Sequence, residues 1–443
     1  MAKSDFEKHI APMGSHRMFG MTPQSFKEWM PERRWTRRAA AMEQVISEPY
    51  KGITTDGNVI PDLYSLRDEN APTEAIVNAA QHLLAALSPD QRINSLLPID
   101  SLQKHGWQNG IPDYGSHGFR LDEVSAPIRS AALALLRASM SPEGYERARN
   151  VMKLNGYLGE LVGAPKLMGE FCYRVHFFGK PSTTEPWGWQ FSGHHLCITF
   201  FLLGGQMVMT PIFMGVEPNT CDEGQFAGAA AFQDEEYNGL LLAQSLDADQ
   251  RRKAIFANSI LEKDLPPGRH QGFDGMAYGG AYRDNQVVPY EGILGDDLSP
   301  TQWQHLMDLA ESYLKTLPEG PLAAKMEDLE RHKSQTQFCW AGETEQRSVF
   351  YYRIQSPVTM IEFDHHWGVV LDNPLPERFH IHTTVRTPNG NDFGIDLLRL
   401  HLKNASHDAG GDHSHSHGHS HSHDHSHPHS HAHEHNHGDH SHD

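Results

Sequence analysis

The stretch that decides the fold is WGWQFSGHHLCITFFLLGGQMVMTPIFMGV, residues 187–216. Its apolar run from Leu196 to Val216 has the length of a membrane span, but two adjacent glycines, a glutamine and a proline interrupt it. A Gly-Gly pair between apolar segments is typical of a hairpin with a two-residue loop. We therefore expect two buried strands, a long one at 187–203 and a second at 206–214, and no association with a membrane.

Helical and strand patterns alternate in large blocks on both sides of this stretch. Apolar residues recur every three or four positions in the first 165 residues and again over residues 224–335, which predicts helices. Bulk alternation of this kind favours an α+β fold over a repeated βαβ weave. The other predicted strands are 171–178, 337–341, 348–355, 358–364 and 379–386, and a last helix is predicted at 393–403.

The predicted strands fall into two blocks, one before residue 217 and one after residue 336. Each block has only a few strands and would leave unpaired edges if it stood alone. We therefore expect the two small antiparallel blocks to join in one sheet or sandwich.

Several helices have explicit start signals in the sequence. Ser88, Asp247 and Ser299 each follow a leucine and precede a glutamine by three positions. A serine or aspartate at the N-cap and a glutamine at the third helical position can form a capping box. We predict a helix start at each of the three sites.

Composition separates a folded body from a histidine-rich tail. Of the 32 histidines, sixteen lie in the last 37 residues, 407–443, where they alternate with Ser, Gly and Asp. A segment of this composition cannot build a core, so we predict a disordered tail that binds divalent metal ions. The body divides into a mainly helical part, 1–165, and a mixed α+β part, 166–406, which contains the predicted site.

Charge and cysteine content exclude several classes of protein. The formal net charge is −19, and the tail has six acids and no Lys or Arg, which leaves 50 acids against 37 bases, or −13, in the body. Such an acidic body disfavours binding to nucleic acid. The four cysteines have no CxxC spacing, so neither a thiolate zinc site nor a disulfide framework is predicted. The first twenty residues contain no continuous apolar stretch, so we expect a cytoplasmic location.

The strongest candidate for chemistry is His380-Ile381-His382. Residues two apart on a strand point to the same side of the sheet, so both imidazoles can reach one metal ion. The alternative is a pair of histidines on a polar strand face with no ligand, because the HxH pattern is common by itself.

A second candidate is Gly193-His194-His195. Neighbouring residues on a continuous strand face opposite sides, so we expect one of the two histidines in a given site. His195 shares the less apolar side with Cys197 and Thr199, and we prefer it as the third ligand. His194 stays a candidate ligand, because a bulge at Gly193 would turn both imidazoles inward. For each histidine taken singly, a core imidazole bonded to the backbone is the alternative.

Two carboxylates could complete the site. Glu362 and Asp364 lie two apart on the predicted strand before the HxH strand, with which it is expected to pair. We predict catalytic roles for both, Asp364 as a base and Glu362 as an extra ligand or a residue that orients one. Their neighbours His365 and His366 are expected to be exposed. Three imidazoles, or two and a carboxylate, leave an open position for water on zinc, our first choice, or on iron or nickel.

Several distinctive motifs occur together along the body. They are EPWGWQ (185–190), GHHL (193–196), Thr210-Pro211, Gly215, Glu217-Pro218, FCWAG (338–342), YRI (352–354), HIH (380–382), Arg386 and NDFG (391–394) with Asp396. In this combination the chain resembles the domain-of-unknown-function 3500 family over roughly residues 20–403. The resemblance implies that GHH and HxH belong to one shared signature, and hence to one metal site, but it implies no established reaction. The tail is an addition to the family's pattern.

Three function classes remain open from the sequence. The first is a metal-dependent enzyme that acts on a small-molecule substrate with His195, His380 and His382 as ligands, while the tail loads or retains the metal. Hydrolysis is its expected reaction, and iron-dependent oxidation is the alternative. The second is a non-catalytic protein for metal storage or delivery, in which the tail is the working part. The third is a small-ligand binding module with purely structural histidines.

Overall fold

The structure, a computed structural model, describes residues 5–111 and 115–410, without the side chains at 33–35, 38, 273 and 407–410. The chain divides into two compact units, Met1–His401 and Leu402–Asp443. Helices and one large sheet make up the first unit, so the predicted α+β class is confirmed. Residues 411–443 of the predicted disordered tail lie outside the described residues.

The described residues contribute thirteen strands to one mixed sheet. These are β1 Leu96–Leu97, β2 Phe119–Arg120, β3 Tyr173–Phe178, β4 Trp187–Gly193, β5 Leu196–Leu203, β6 Gln206–Val208, β7 Ile212–Val216, β8 Ile255–Ala257, β9 Ile293–Leu294, β10 Gln337–Gly342, β11 Phe350–Gln355, β12 Met360–His366 and β13 Glu377–Arg386. Hydrogen-bonded neighbours follow the order β1-β3-β4-β5-β7-β13-β12-β11-β10-β8, with β2 on β3, β6 on β5 and β9 on β10.

The helices pack apolar sides against this sheet and against one another. In the third helix, for example, Ile76, Ala80 and Leu83 are fully buried at spacings of three and four residues. The α-helices of the described residues are α1 Pro23–Trp29, α2 Glu32–Ser47, α3 Thr73–Ala86, α4 Pro89–Ser95, α5 Ala126–Ser139, α6 Pro142–Leu161, α7 Gln233–Ser245, α8 Ala248–Ala254, α9 Pro300–Leu314, α10 Glu319–Arg331 and α11 Ile395–Gly410. None of these helices combines the length and the apolarity that crossing a bilayer requires.

The two strand blocks meet where β7 pairs with β13. The pairing is antiparallel and sets Gly215 opposite His382. On its other side β7 pairs with β5, with Met214 opposite Leu196. The expectation that the two blocks join in one sheet is therefore confirmed. β7, the last strand of the first block, makes the connection through its pairing with β13.

The predicted single strand at 187–203 is wrong, because the chain reverses direction in its middle. β4 and β5 form a tight hairpin in which Gly193 pairs with Leu196, and His194-His195 is the two-residue turn. His195 has a φ of 63°, which a short turn between strands requires, and the Tyr173 hydroxyl donates to the His194 carbonyl at 3.0 Å. Apolar side chains occupy odd-numbered positions over residues 187–191 and even-numbered positions over residues 196–202, so the phase of the alternation changes across the turn, a sign that the single-strand prediction overlooked.

The Gly-Gly hairpin is confirmed. Leu203 pairs with Gln206 across a turn in which Gly204 has a φ of 57°. The predicted strand at 206–214 is divided, because the chain leaves β6 after Val208 and enters β7 at Ile212. All residues of both strands are buried.

The three predicted helix starts are confirmed, and two of them are linked. Ser88, Asp247 and Ser299 are the N-caps of α4, α8 and α9, each in a complete capping box. The amide of Gln302, in the box of α9, also bonds Gln250, in the box of α8, at 2.7 Å. The two boxes therefore fix the start of α8 against the start of α9.

Replacing the cap of α9 tests this account of the helix starts. Ser299→Ala removes the acceptor of the Gln302 N–H, and we expect it to lower the free energy of unfolding by about 1 kcal/mol, as N-cap replacements typically do. Urea unfolding followed by circular dichroism measures the change. The exposed neighbour Thr301→Ala is the control and should change stability by less than about 0.5 kcal/mol. Equal stabilities of the two variants would contradict the assignment.

Candidate metal centre

Three imidazoles converge at the junction of the two strand blocks. The Nε2 atoms of His380 and His382 lie 3.1 Å apart, and those of His382 and His195 lie 3.4 Å apart. The potential ligand atoms of the three residues all lie within 4.8 Å of one another, and all three residues are buried. The structure thus brings together the three preferred ligands of the sequence prediction.

A glycine makes room for two of these rings. A Cβ atom at Gly215 would lie 2.9 Å from His382 Cδ2 and 3.0 Å from His195 Cδ2, closer than ordinary packing permits. The Gly215 N–H also donates to the His195 carbonyl at 2.8 Å. Gly215 therefore fixes the backbone of one ligand and leaves space between the two imidazoles.

The surroundings hold the three imidazoles in the neutral form. Burial lowers the pKa of His195, His380 and His382 well below the usual 6.5, and the neighbouring imidazoles lower each pKa further. Neutral imidazole is the form that offers a nitrogen lone pair to a metal ion. The triad is therefore ready to bind a cation at neutral pH.

His194, the other candidate in the turn, lies beside the triad rather than within it. Its ring stacks on that of His195 at a centroid distance of 3.9 Å. Its Nδ1 lies 2.7 Å from the Asn155 side-chain oxygen, which holds the ring in place from helix α6. His194 thus supports the orientation of His195, a role that the alternation argument could not predict because the two residues form a turn.

The expectation that His365 and His366 are exposed is wrong, because both are fully buried. His365 points away from the triad, with Nε2 3.0 Å from Glu236. The ring of His366 lies 4.3 Å from that of His382 and 4.8 Å from that of His380, centroid to centroid. His366 is thus a residue near the triad that the sequence interpretation missed. Its position two residues after Asp364 would have placed its side chain on the same side of the strand as Glu362 and Asp364.

The two carboxylates lie on the strand next to the HxH strand, as expected. Asp364 pairs with His382 across β12 and β13, and Glu362 pairs with Thr384. Glu362 accepts hydrogen bonds from the N–H groups of Tyr278 and Gly279 and from two hydroxyls. This carboxylate is thus fully engaged in holding the 278–279 segment over the sheet.

Asp364, unlike Glu362, has only one of its two carboxylate oxygens in a hydrogen bond. Its Oδ2 accepts the Met276 N–H at 2.8 Å, whereas its Oδ1 is buried with no hydrogen-bond partner. Burial raises the pKa of Asp364 well above its usual value, which the Met276 hydrogen bond only partly offsets. A carboxyl with a raised pKa and an oxygen free of hydrogen bonds is suited to proton transfer.

Glu217 is a further carboxylate near the triad. Its Oε1 lies 3.8 Å from His380 Nδ1, a buried nitrogen without a hydrogen-bond partner. Burial raises the pKa of Glu217 to about 8, although three backbone N–H groups, of Val369, Val370 and Leu371, bond the carboxylate and oppose the rise. The Glu217-Pro218 motif was the signal in the sequence, but its pattern alone assigned it no role.

The geometry of the triad fits a metal ion with open coordination. Bonds of about 2.0–2.1 Å at tetrahedral angles place two ligand nitrogens about 3.3 Å apart, close to the two Nε2 separations. Metal-bound imidazoles usually have a carboxylate near the other ring nitrogen, and Glu217 has this position at His380. The rival arrangement is a chain of imidazole hydrogen bonds, in which one ring donates Nε2–H to the next.

The comparisons with known proteins name a family and no function. A family model described as protein of unknown function (DUF3500) matches residues 69–395, a range that contains all three candidate ligands. Neither the curated proteins nor the solved structures include a match to the chain. The properties of the site therefore have to be inferred from its own geometry.

Filling the space at Gly215 should disrupt the triad. We expect Gly215→Ala to weaken zinc binding at least about tenfold, the lower end for a change next to metal ligands, because the added methyl displaces two imidazoles. Competition with a chromophoric chelator, on a chain ending at Ser406 that lacks the histidine-rich tail, measures the affinity. Gly205→Ala is the control, because its Cβ meets only the end of the exposed Asp68 side chain. Unchanged affinity in Gly215→Ala would contradict the arrangement.

The neutral triad also predicts a pH dependence of stability in the presence of a chelator. Below pH 6.5 the unfolded chain binds protons on these imidazoles, whereas the folded chain, with its lowered pKa values, does not. The free energy of unfolding should therefore fall as the pH drops, by up to about 1.4 kcal/mol per pH unit for each imidazole. In His382→Gln this slope between pH 6.5 and 5 should be smaller than in the parent chain.

The measurement is urea unfolding at several pH values, with the exposed His82→Gln as the control. Comparing slopes between variants cancels the contribution of the buried carboxyls, whose raised pKa values act in the opposite direction. The same slope in His382→Gln as in the parent chain would contradict a neutral, buried His382.

Proposed function

The chain belongs to the DUF3500 family, and from that premise we propose that it is a metal-dependent hydrolase with a three-histidine centre. His195, His380 and His382 are the proposed ligands, and zinc is the proposed ion, with iron or nickel as alternatives. The observation that carries the proposal is the convergence of three buried Nε2 atoms whose imidazoles are held neutral.

The choice of an enzyme over a closed structural site rests on the number of ligands. Structural zinc sites use four protein ligands, whereas catalytic sites use three and keep one position open. When bound there, a divalent ion would acidify a water molecule and polarise a substrate carbonyl or phosphoryl oxygen.

Asp364 is the proposed proton acceptor. It lies on the strand beside the HxH strand, directly across from His382, and its Oδ1 has no other partner. Its raised pKa suits a group that takes a proton from water and returns it to a leaving group. Glu362 has a positioning role instead, since four hydrogen bonds occupy it.

The walls of the site favour a small substrate with an apolar part. The Phe213 ring lies 5.1 Å from that of His382, within a buried cluster that also contains Trp107, Cys197 and Phe393. The His195 N–H donates to the Asn109 carbonyl, so the 107–111 segment lies against the ligand turn. We infer a small-molecule substrate with one electrophilic centre.

The alternative is a non-catalytic metal-storage or delivery protein. The observation that favours it is the composition of residues 407–443, where sixteen histidines offer many overlapping metal sites. In that case the tail would bind the stored metal ions, and the body would have a supporting role.

Metal content and activity separate the two functions. We expect the chain ending at Ser406 to retain about one zinc ion, and the His380→Ala/His382→Ala variant to lose it, because two of three ligands are gone. Inductively coupled plasma mass spectrometry after dialysis measures the ion, and His82→Ala with His305→Ala is the control pair. A body without metal, beside a full chain that binds many ions, would support storage and contradict the enzyme.

Asp364→Asn tests catalysis itself. With general acid–base catalysis worth about 10²–10⁴, we expect this variant to retain the zinc ion and to hydrolyse nitrophenyl esters and phosphates at least about a hundredfold more slowly. The exposed Asp372→Asn is the control. Hydrolysis that persists undiminished in Asp364→Asn would exclude Asp364 as the proton acceptor.

A further inference from the structure

A cavity lies on the face of β13 opposite to the histidine triad. Its volume is about 90 Å³, and Val385 and Thr387 contribute to its wall. His380 and His382 lie an odd number of residues from both, so their side chains point to the other face of the sheet. Helices α9 and α10 close the cavity, which is therefore separate from the candidate metal centre.

A single lysine supplies an unbalanced positive charge to this cavity. Lys325 Nζ donates to the Val358 carbonyl at 2.7 Å and to the Thr387 hydroxyl at 3.4 Å. No carboxylate of residues 5–111 and 115–410 forms an ion pair with it. Burial lowers the pKa of Lys325 to about 8, so the amine is still mainly charged at pH 7.

The other charges around the cavity neutralise one another. Arg67 pairs with Glu69 at 2.8 Å and with Asp328 at 2.6 Å. Asp328 also pairs with Arg331 at 3.1 Å. Arg331 pairs in addition with Glu327 at 3.0 Å, which does not line the cavity. Among the charged residues of the wall, two guanidinium groups thus face two carboxylates, and Lys325 is the cation without an ion-pair partner. A buried ammonium without a counter-charge is costly, and an anionic ligand would compensate it.

The remaining walls are mostly apolar and limit the size of a ligand. Apolar side chains of the wall include Met207, Leu314, Leu317, Val385 and Leu397. A volume of about 90 Å³ holds roughly six to nine water molecules, so a ligand with about that number of heavy atoms fits.

We propose that this cavity binds a small apolar monocarboxylate, whose carboxylate pairs with Lys325 and whose hydrocarbon part lies against the apolar wall. A dianion such as a phosphate monoester fits less well, because Glu69 and Asp328 lie on the same cavity and only one positive charge is in surplus. The apolar side chains of the wall and the single unpaired ammonium together favour a ligand with one negative charge and one apolar group.

The test uses the full chain labelled with ¹³C at the methionine methyl groups. Met207 and Met209 line the cavity, whereas Met276 contacts Asp364 on the side of the metal centre. We titrate sodium benzoate and sodium hexanoate, with benzamide as the neutral counterpart of benzoate. We expect the carboxylates to shift the methyl signals of Met207 and Met209 and to leave that of Met276 in place, and benzamide to bind at least tenfold more weakly.

Lys325→Met tests the ion pair directly, and it replaces the amine with a side chain of similar length. We expect its affinity for benzoate to fall at least tenfold, whereas the exposed Lys253→Met control binds as the parent does. His380→Ala/His382→Ala should also bind benzoate normally, which keeps this test independent of the metal centre. No shift at Met207 and Met209, equal binding of benzamide, or unchanged affinity in Lys325→Met would each overturn the proposal. Because the benzamide comparison uses the parent chain, it decides the question even if Lys325→Met fails to fold.

Discussion

The antiparallel pairing of β7 with β13 is the constraint on which the rest of the structure depends. β7 has the GHH turn beside it, through β5, and the HxH strand on its other side. His195 and His382 therefore meet although 187 residues separate them along the chain. A slip of this pairing by one residue would turn His380 and His382 to the opposite face and place Ile381 and Thr383 in the site. The register that joins the two strand blocks is thus the register that builds the triad.

The electrostatics of the site follow from its position inside the sheet. Burial lowers the pKa of the three imidazoles and raises the pKa of Asp364 and Glu217, because it favours the neutral form of each of these groups. A bound cation would suit both kinds of group, since it needs the lone pairs of the imidazoles and favours the ionised form of the carboxyls.

Local patterns predicted much of the fold, whereas the site needed information that is not local. The α+β class, the Gly204 hairpin and the capping boxes follow from spacing and composition within a few residues. The turn at His194-His195 was not predicted, although the apolar positions change there from odd-numbered (187–191) to even-numbered (196–202), because the phase change was not read as a reversal of the chain. The structure does place His195 beside His380 and His382, but it does so through this turn and not through alternation along one strand. The burial of His366 depends on Gly275 and its neighbours, which pack over the end of β12 from far along the chain.

Anomalous diffraction from crystals grown with zinc, recorded on both sides of the zinc absorption edge, tests the central claim most directly. Three buried imidazoles aligned by the β7–β13 register predict one anomalous peak about 2.0–2.1 Å from the Nε2 atoms of His195, His380 and His382. A zinc-saturated crystal with no peak at the triad, and with its Nε2 atoms still at hydrogen-bonding distance from one another, would contradict the account. The triad would then be an imidazole hydrogen-bond chain rather than a metal centre.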